Sequence, residues 1–169
     1  MGILEFKQWS AHSKRHEIIT DYRKFLSLER YWCDLYQRSR EYDLTESFEW
    51  CGCSWQIVAK PQGRRLHCLV TWQDGRAVLI WPFVTHRWGL RTVGYPLGPE
   101  TSEYSSVLVE AGPEADRRVL SAWRTLRKTL RTDKILLPRV KSGSALHRAI
   151  VESKIAAHSV WVSPILYVS

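Results

Sequence analysis

Leu66-His67-Cys68-Leu69-Val70-Thr71-Trp72-Gln73-Asp74-Gly75-Arg76-Ala77-Val78-Leu79-Ile80-Trp81-Pro82-Phe83-Val84-Thr85 reads as a β-hairpin. Leu66, Cys68 and Val70 alternate with His67, Leu69 and Thr71, the period of two that a strand imposes. Gln73-Asp74-Gly75 ends the run, and Asp-Gly tolerates the positive φ of a tight hairpin turn. The return run from Ala77 to Thr85 is almost wholly apolar, the pattern of a strand buried on both faces at the centre of a sheet.

On the N-terminal side of this hairpin the period changes to that of a helix. Ile18, Tyr22, Phe25 and Leu26 recur at steps of three and four, and Trp32, Leu35 and Tyr36 continue the face. This predicts one or two helices between Glu17 and Tyr42, with a break near Ser27. A further helix is expected over Ser47–Ala59, with Phe48, Cys51, Trp55 and Val58 on one side; Pro61 stops it and Gln62-Gly63 turns the chain. Ile3–Trp9 reads as a first strand and Ser10–His16 as a polar connection.

On the C-terminal side, Leu90–Val93 predicts a short strand. Gly94–Glu103 predicts a loop, punctuated by Pro96, Gly98 and Pro99. Ser106–Val109 predicts another strand. A helix is expected over Pro113–Arg131, with proline at the favoured first position and Glu114 and Asp116 near its positive end. Lys134–Leu137 reads as a strand, Ser144–Ser153 as a helix and His158–Val168 as a terminal strand. The sum is an α+β domain: a mixed, mostly antiparallel sheet built on a central hairpin and flanked by helices. Residues 1–43 form an N-terminal strand and helical segment, expected to make one compact unit with the domain over 44–169.

The chain has 169 residues, 44% of them hydrophobic and 25% charged, the balance of one ordinary globular domain and not of a disordered chain. The longest apolar run, Ala77–Val84, is far too short to span a bilayer. Nothing near Met1 resembles a secretory leader. The four cysteines are therefore expected as free thiols in a reducing cytoplasm. The net charge of +8 favours phosphates, anionic lipid or acidic small molecules as partners. No nucleic-acid-binding module accompanies it, so nucleic acid is not an expected partner.

The order of several phrases is distinctive. Phe48-Glu49-Trp50 lies on a helix, followed by Gly75-Arg76-Ala77-Val78-Leu79-Ile80-Trp81-Pro82-Phe83. Then come Leu90-Arg91-Thr92-Val93-Gly94, Glu103-Tyr104-Ser105-Ser106, an amphipathic helix and Ile135-Leu136-Leu137-Pro138-Arg139-Val140. From Leu44 to Val168 this resembles the N-terminal half of the CelD-type GNAT acyltransferases of cellulose and exopolysaccharide biosynthesis, relatives of the FemAB peptidyltransferases. The resemblance implies a GNAT-like half-domain that binds or docks a carbohydrate or amine acceptor. It implies that the acyl-CoA-binding half is lacking, so that no cofactor is held in this chain. Acyl-CoA would come with a second GNAT half or through a homodimer.

GNAT proteins hold the pyrophosphate of acyl-CoA on N–H groups of a glycine-rich turn that opens a helix. Gln62-Gly63-Arg64-Arg65 has one glycine and precedes a strand. Arg91-Thr92-Val93-Gly94 begins such a pattern, but Tyr95 and Pro96 do not complete it. Neither makes a cradle, and the catalytic base is left unassigned.

Glu103, Tyr104 and Trp88 are the candidate substrate-binding residues. In the resembling family the Glu103-Tyr104 place tends to hold an acidic–tyrosine pair, able to bind a hydroxyl or amine and to stack on a sugar. Trp88, between Arg87 and Gly89, is the tryptophan best placed for an exposed ring, whereas Trp55 and Trp81 suit the core. His67 and His86 could serve as general bases if a carboxylate oriented them, or simply as satisfied rings. Cys51-Gly52-Cys53 lacks the spacing of a metal site, and no metal is expected. Arg117, Arg118, Arg124, Arg127, Lys128 and Arg131 make one helix strongly basic. That helix carries an alternative reading, a non-catalytic binding module for nucleic acid or an anionic membrane surface. A third reading is a truncated remnant without activity of its own.

Overall fold

The computed structural model describes residues 14–39, 43–98, 100 and 102–152. The strands expected at Ile3–Trp9 and His158–Val168 lie outside the described residues. Strand β1 (Lys14–Ile19) leads into helices α1 (Tyr22–Leu26) and α2 (Glu29–Arg38), a 3₁₀ turn (Leu44–Glu46) and helix α3 (Phe48–Cys53). A π-helical turn (Ser54–Ala59) follows. The hairpin is β2 (Arg65–Gln73) and β3 (Arg76–Trp88), then β4 (Arg91–Pro96) and β5 (Leu108–Val109). Helix α4 (Ala115–Thr129), β6 (Lys134–Ile135) and helix α5 (Ala145–Glu152) complete the described chain.

The hairpin forms where its sequence predicts it. Asp74 and Gly75 both have positive φ, 51° and 77°, as a tight turn matched to strand twist requires. Among the described residues the sheet has six strands in the order β1-β2-β3-β4-β6, with β5 also on β3. Every pairing is antiparallel except β4 with β6. Helices cover both faces, which explains the unbroken apolar run of β3. Ile80 and Val84 face α1–α3 with Phe25, Trp32, Leu35 and Phe48. Leu79, Trp81 and Phe83 face α4 and α5 with Val119, Leu126 and Leu146.

Two expectations need correcting. β4 runs on through Gly94, Tyr95 and Pro96, expected as the start of a loop, because pairing with Thr85, Val84 and Phe83 of β3 holds them in the sheet. Lys14–Ile19 is a strand, not the end of a polar connection and the start of a helix. It pairs with β2 from Lys14↔Gln73 to Ile19↔Cys68. An edge strand takes its conformation from its neighbour's free hydrogen-bonding groups, a long-range cause that local periodicity does not carry. The helical period begins only at Asp21, whose side chain caps α1 by accepting the Lys24 N–H. The break expected near Ser27 separates α1 from α2.

Candidate functional site

The site arises from two strands that part. β4 and β6 run parallel at Val93↔Lys134 and Gly94↔Ile135. The Leu136 N–H still reaches the Gly94 carbonyl at 2.8 Å. Gly94 lies against the end of α4: a Cβ there would make ordinary contact, 3.4 Å from Leu130 Cδ1 and Thr132 Cγ2. Beyond Leu136 the strands separate. β4 stays on β3, with the Leu97 N–H donating to the Pro82 carbonyl at 2.9 Å. The chain rejoins β3 only at Leu108↔Ile80. Between those points the described residues 98, 100 and 102–107 leave the sheet toward the gap. Ser105 forms a parallel bridge with Val140, and its N–H lies 3.2 Å from the Pro138 carbonyl and 3.1 Å from that of Arg139. The Ser105 hydroxyl also donates to the Pro138 carbonyl, and Arg139 Nη2 donates to the Ser102 carbonyl at 3.1 Å.

A small pocket of about 30 Å³ opens here, enough for a water molecule or a small polar group. Tyr104, Ser105 and Ser106 line it from the excursion, and Pro96 and Leu97 from the end of β4. Trp32, Glu46 and Cys51 line it from the helical layer. Glu46 is buried at 5% exposure. It belongs to a capping box: its Oε2 accepts the Asp43 N–H at 3.2 Å, while its carbonyl accepts the Trp32 Nε1–H at 2.7 Å. A buried carboxylate beside hydroxyls gives the pocket a proton acceptor and hydrogen-bonding partners for an amine or alcohol. Burial, and secondarily the Glu46 charge, pushes the Cys51 thiol far up, so that sulfur is an inert part of the wall.

The candidate residues divide between two places. Tyr104 lines the pocket, and Glu103 beside it is exposed and outside the lining. Trp88 lies at the tip of the β3–β4 hairpin, 78% exposed, and does not join them. Trp81 is fully buried and Trp55 nearly so. His67 sits on β2 with its Nε2 3.0 Å from Thr85 Oγ1, and burial, with Arg65 nearby, lowers its pKa. Cys53 is exposed while Cys51 is buried, and no cluster among the described residues could hold a metal ion. Glu46 is the pocket residue that sequence reading misses. Its available signal is the Asp43-x-x-Glu46 spacing of a capping box, which announces a helix start and not a site.

A helix N-terminus follows the sheet at the connection from β5 to α4, as another does after β6. The turn before α4 is Glu110-Ala111-Gly112-Pro113-Glu114, with one glycine and a proline that has no N–H. Glu114 and Asp116 place two carboxylates at the first turn. Each carboxylate already has its own guanidinium, Glu114 from Arg117 and Asp116 from Arg148, but the turn itself offers few backbone donors, so it makes no cradle for the phosphates of acyl-CoA. Among the described residues no helix is long and apolar enough to cross a membrane.

No protein-family model and no curated protein matches the chain. Its fold is similar to a crystal structure of a ribosomal-protein-alanine N-acetyltransferase from Brucella melitensis biovar Abortus 2308, at a TM-score of 0.51 and 14% identity. The alignment covers 93% of this chain and 100% of that one, so it gives no support to half a fold being absent. The likeness reaches the GNAT-like fold and does not single out CelD-type or FemAB-like proteins. The chain is an α+β domain of GNAT-like architecture, with a mostly antiparallel sheet, six-stranded among the described residues, between layers of helices.

Proposed function

We propose that this protein takes part in acyl transfer by binding the acceptor, an amine or a sugar hydroxyl, in the pocket where β4 and β6 part. The observation that carries this reading is the pairing of Tyr104 with the buried Glu46 on the walls of one pocket at that split. Tyr104 and the neighbouring serines would orient the acceptor, and Glu46 would take its proton as the nucleophile attacks. Glu103, exposed at the rim, would draw in a cationic amine. Acyl-CoA, when bound, would supply the acyl group: the thioester C–S bond would break as the new C–N or C–O bond forms, and CoA would leave as its thiol. The donor-poor turn before α4, which every copy of this chain shares, argues that its phosphates are held by a second, different GNAT-fold chain. A polysaccharide acceptor, as the CelD-type resemblance implies, belongs to the same proposal.

Two titrations test it. Acetyl-CoA added to the purified chain in a calorimeter is expected to give no saturable heat in the micromolar range; saturation there would show that the chain holds its own cofactor. Glucosamine, which offers both an amine and hydroxyls, is expected to shift backbone amide resonances of Ser102, Tyr104, Ser105 and Ser106. Shifts elsewhere, or none, would remove the acceptor-site reading.

A further inference from the structure

The end of the molecule that carries the β3–β4 turn combines exposed apolar side chains with cations that meet no carboxylate among the described residues. The turn is Gly89-Leu90, with Gly89 at φ +61°, the position a type II′ hairpin reserves for glycine. Leu90 is 93% exposed and Trp88 78%. Arg91 stands directly opposite Trp88 in the register, and Arg87 is the next residue along β3. The last turns of α4 are tied to the same end: the Thr92 N–H donates to Asp133 Oδ2 at 2.6 Å, and the Asp133 N–H to the Thr92 carbonyl at 2.9 Å. That helix end adds Arg127, Lys128 and Arg131, all exposed. No carboxylate among the described residues pairs with any of them.

Arg131 is informative in another way. It has φ +46°, the left-handed position just beyond the helix end, where the backbone favours glycine. Local structure therefore gives no reason for an arginine at this position.

We propose that the β3–β4 tip and the C-terminal turn of α4 form a docking surface for a membrane of anionic phospholipid. The cations complement the headgroups, and Trp88 and Leu90 insert at the boundary with the acyl chains. An aliphatic tip decides against nucleic acid. A tryptophan would gain by stacking on a base, but Leu90 gains nothing beside a phosphate backbone. The surface is independent of the pocket, so either reading can fail alone.

Co-sedimentation of the full chain with vesicles tests this. Phosphatidylglycerol vesicles are expected to carry the protein down, and phosphatidylcholine vesicles are not. Added salt should weaken the binding. Trp88→Ser and Leu90→Ser should each weaken it about tenfold. Arg127→Gln and Lys128→Gln should each weaken it about fivefold. All four positions are exposed, and unchanged far-ultraviolet circular dichroism will show that the variants fold. Absence of binding to phosphatidylglycerol, or binding indifferent to Trp88→Ser and Leu90→Ser, overturns the proposal. So does tight, salt-sensitive binding to duplex DNA or RNA that is lost with the arginines and kept with Leu90→Ser.

Discussion

The two ends of α4 carry the same kind of side chain to opposite effect. At the N-terminal end the arginines are consumed by the fold. Arg118 Nη1 meets Glu110 Oε2 at 2.8 Å, and Arg76 and Arg38 meet Oε1 of the same residue. Arg148, from α5, holds Asp116 with two hydrogen bonds, at 2.8 and 2.9 Å. One carboxylate at Glu110 thus joins α2, β3 and α4. At the C-terminal end Arg127, Lys128 and Arg131 face solvent without such partners among the described residues. A net charge of +8 is therefore not spread evenly in its consequences: cations at one end hold elements together, and those at the other remain available to a partner.

The largest expected effect lies at the paired end. Glu110→Ala leaves three guanidinium groups, two of them mostly buried, around an empty place. Thermal unfolding followed by circular dichroism should show a loss of about 2–3 kcal/mol, or roughly 4–12 °C in Tm. Glu110→Gln, which keeps an acceptor but removes the charge, should fall between it and the parent. If Glu110→Ala unfolds like the parent, the two ends do not differ as described.

A smaller effect of opposite sign is expected at the other end. Arg131→Gly relieves the left-handed strain and should raise stability by about 0.5–1 kcal/mol. The same substitution should weaken vesicle binding, because it removes a charge from the docking surface. A loss of stability would show that Arg131 has a structural partner and would draw the two ends together.

This division by end is not visible in the sequence, though much of the fold is. The β2–β3 hairpin, the break at Ser27 and the burial of Trp55 and Trp81 all follow from local periodicity and turn chemistry. What escapes depends on distant partners. Arg38 and Glu110 stand 72 residues apart, so a reading of α4 as uniformly basic had no means to separate its paired arginines from the rest. β1 is a strand because β2 offers it an edge. The pocket is half legible: Tyr104 lies in a loop that reads as a loop, but Glu46 is hidden in a capping box. Trp88 reads as a substrate-site residue for its exposure, and exposure is what the structure gives it, at the other end of β4 from the pocket.

The smallest effect concerns the middle of α4, between the two ends, where a neutral hydrogen-bonded ring replaces ion pairs. His16 on β1 places Nδ1 2.9 Å from Thr71 Oγ1 and Nε2 2.9 Å from Ser121 Oγ of α4. Burial, and then the charge of Lys14, holds its pKa below the ordinary value of 6.5. The unfolded chain therefore takes up this proton at a higher pH than the folded one. The stability that neutral His16 contributes is complete above the unfolded value and is lost as pH falls from there toward the lowered folded value. Urea denaturation at several pH values between about 7 and 5 should show stability falling with acidity. His67, lowered by burial and by Arg65, contributes in the same direction. His16→Gln should flatten the decline without removing it. A decline as steep in that variant as in the parent would mean that His16 titrates alike in both states, and that its burial between Thr71 and Ser121 adds nothing to the acid sensitivity.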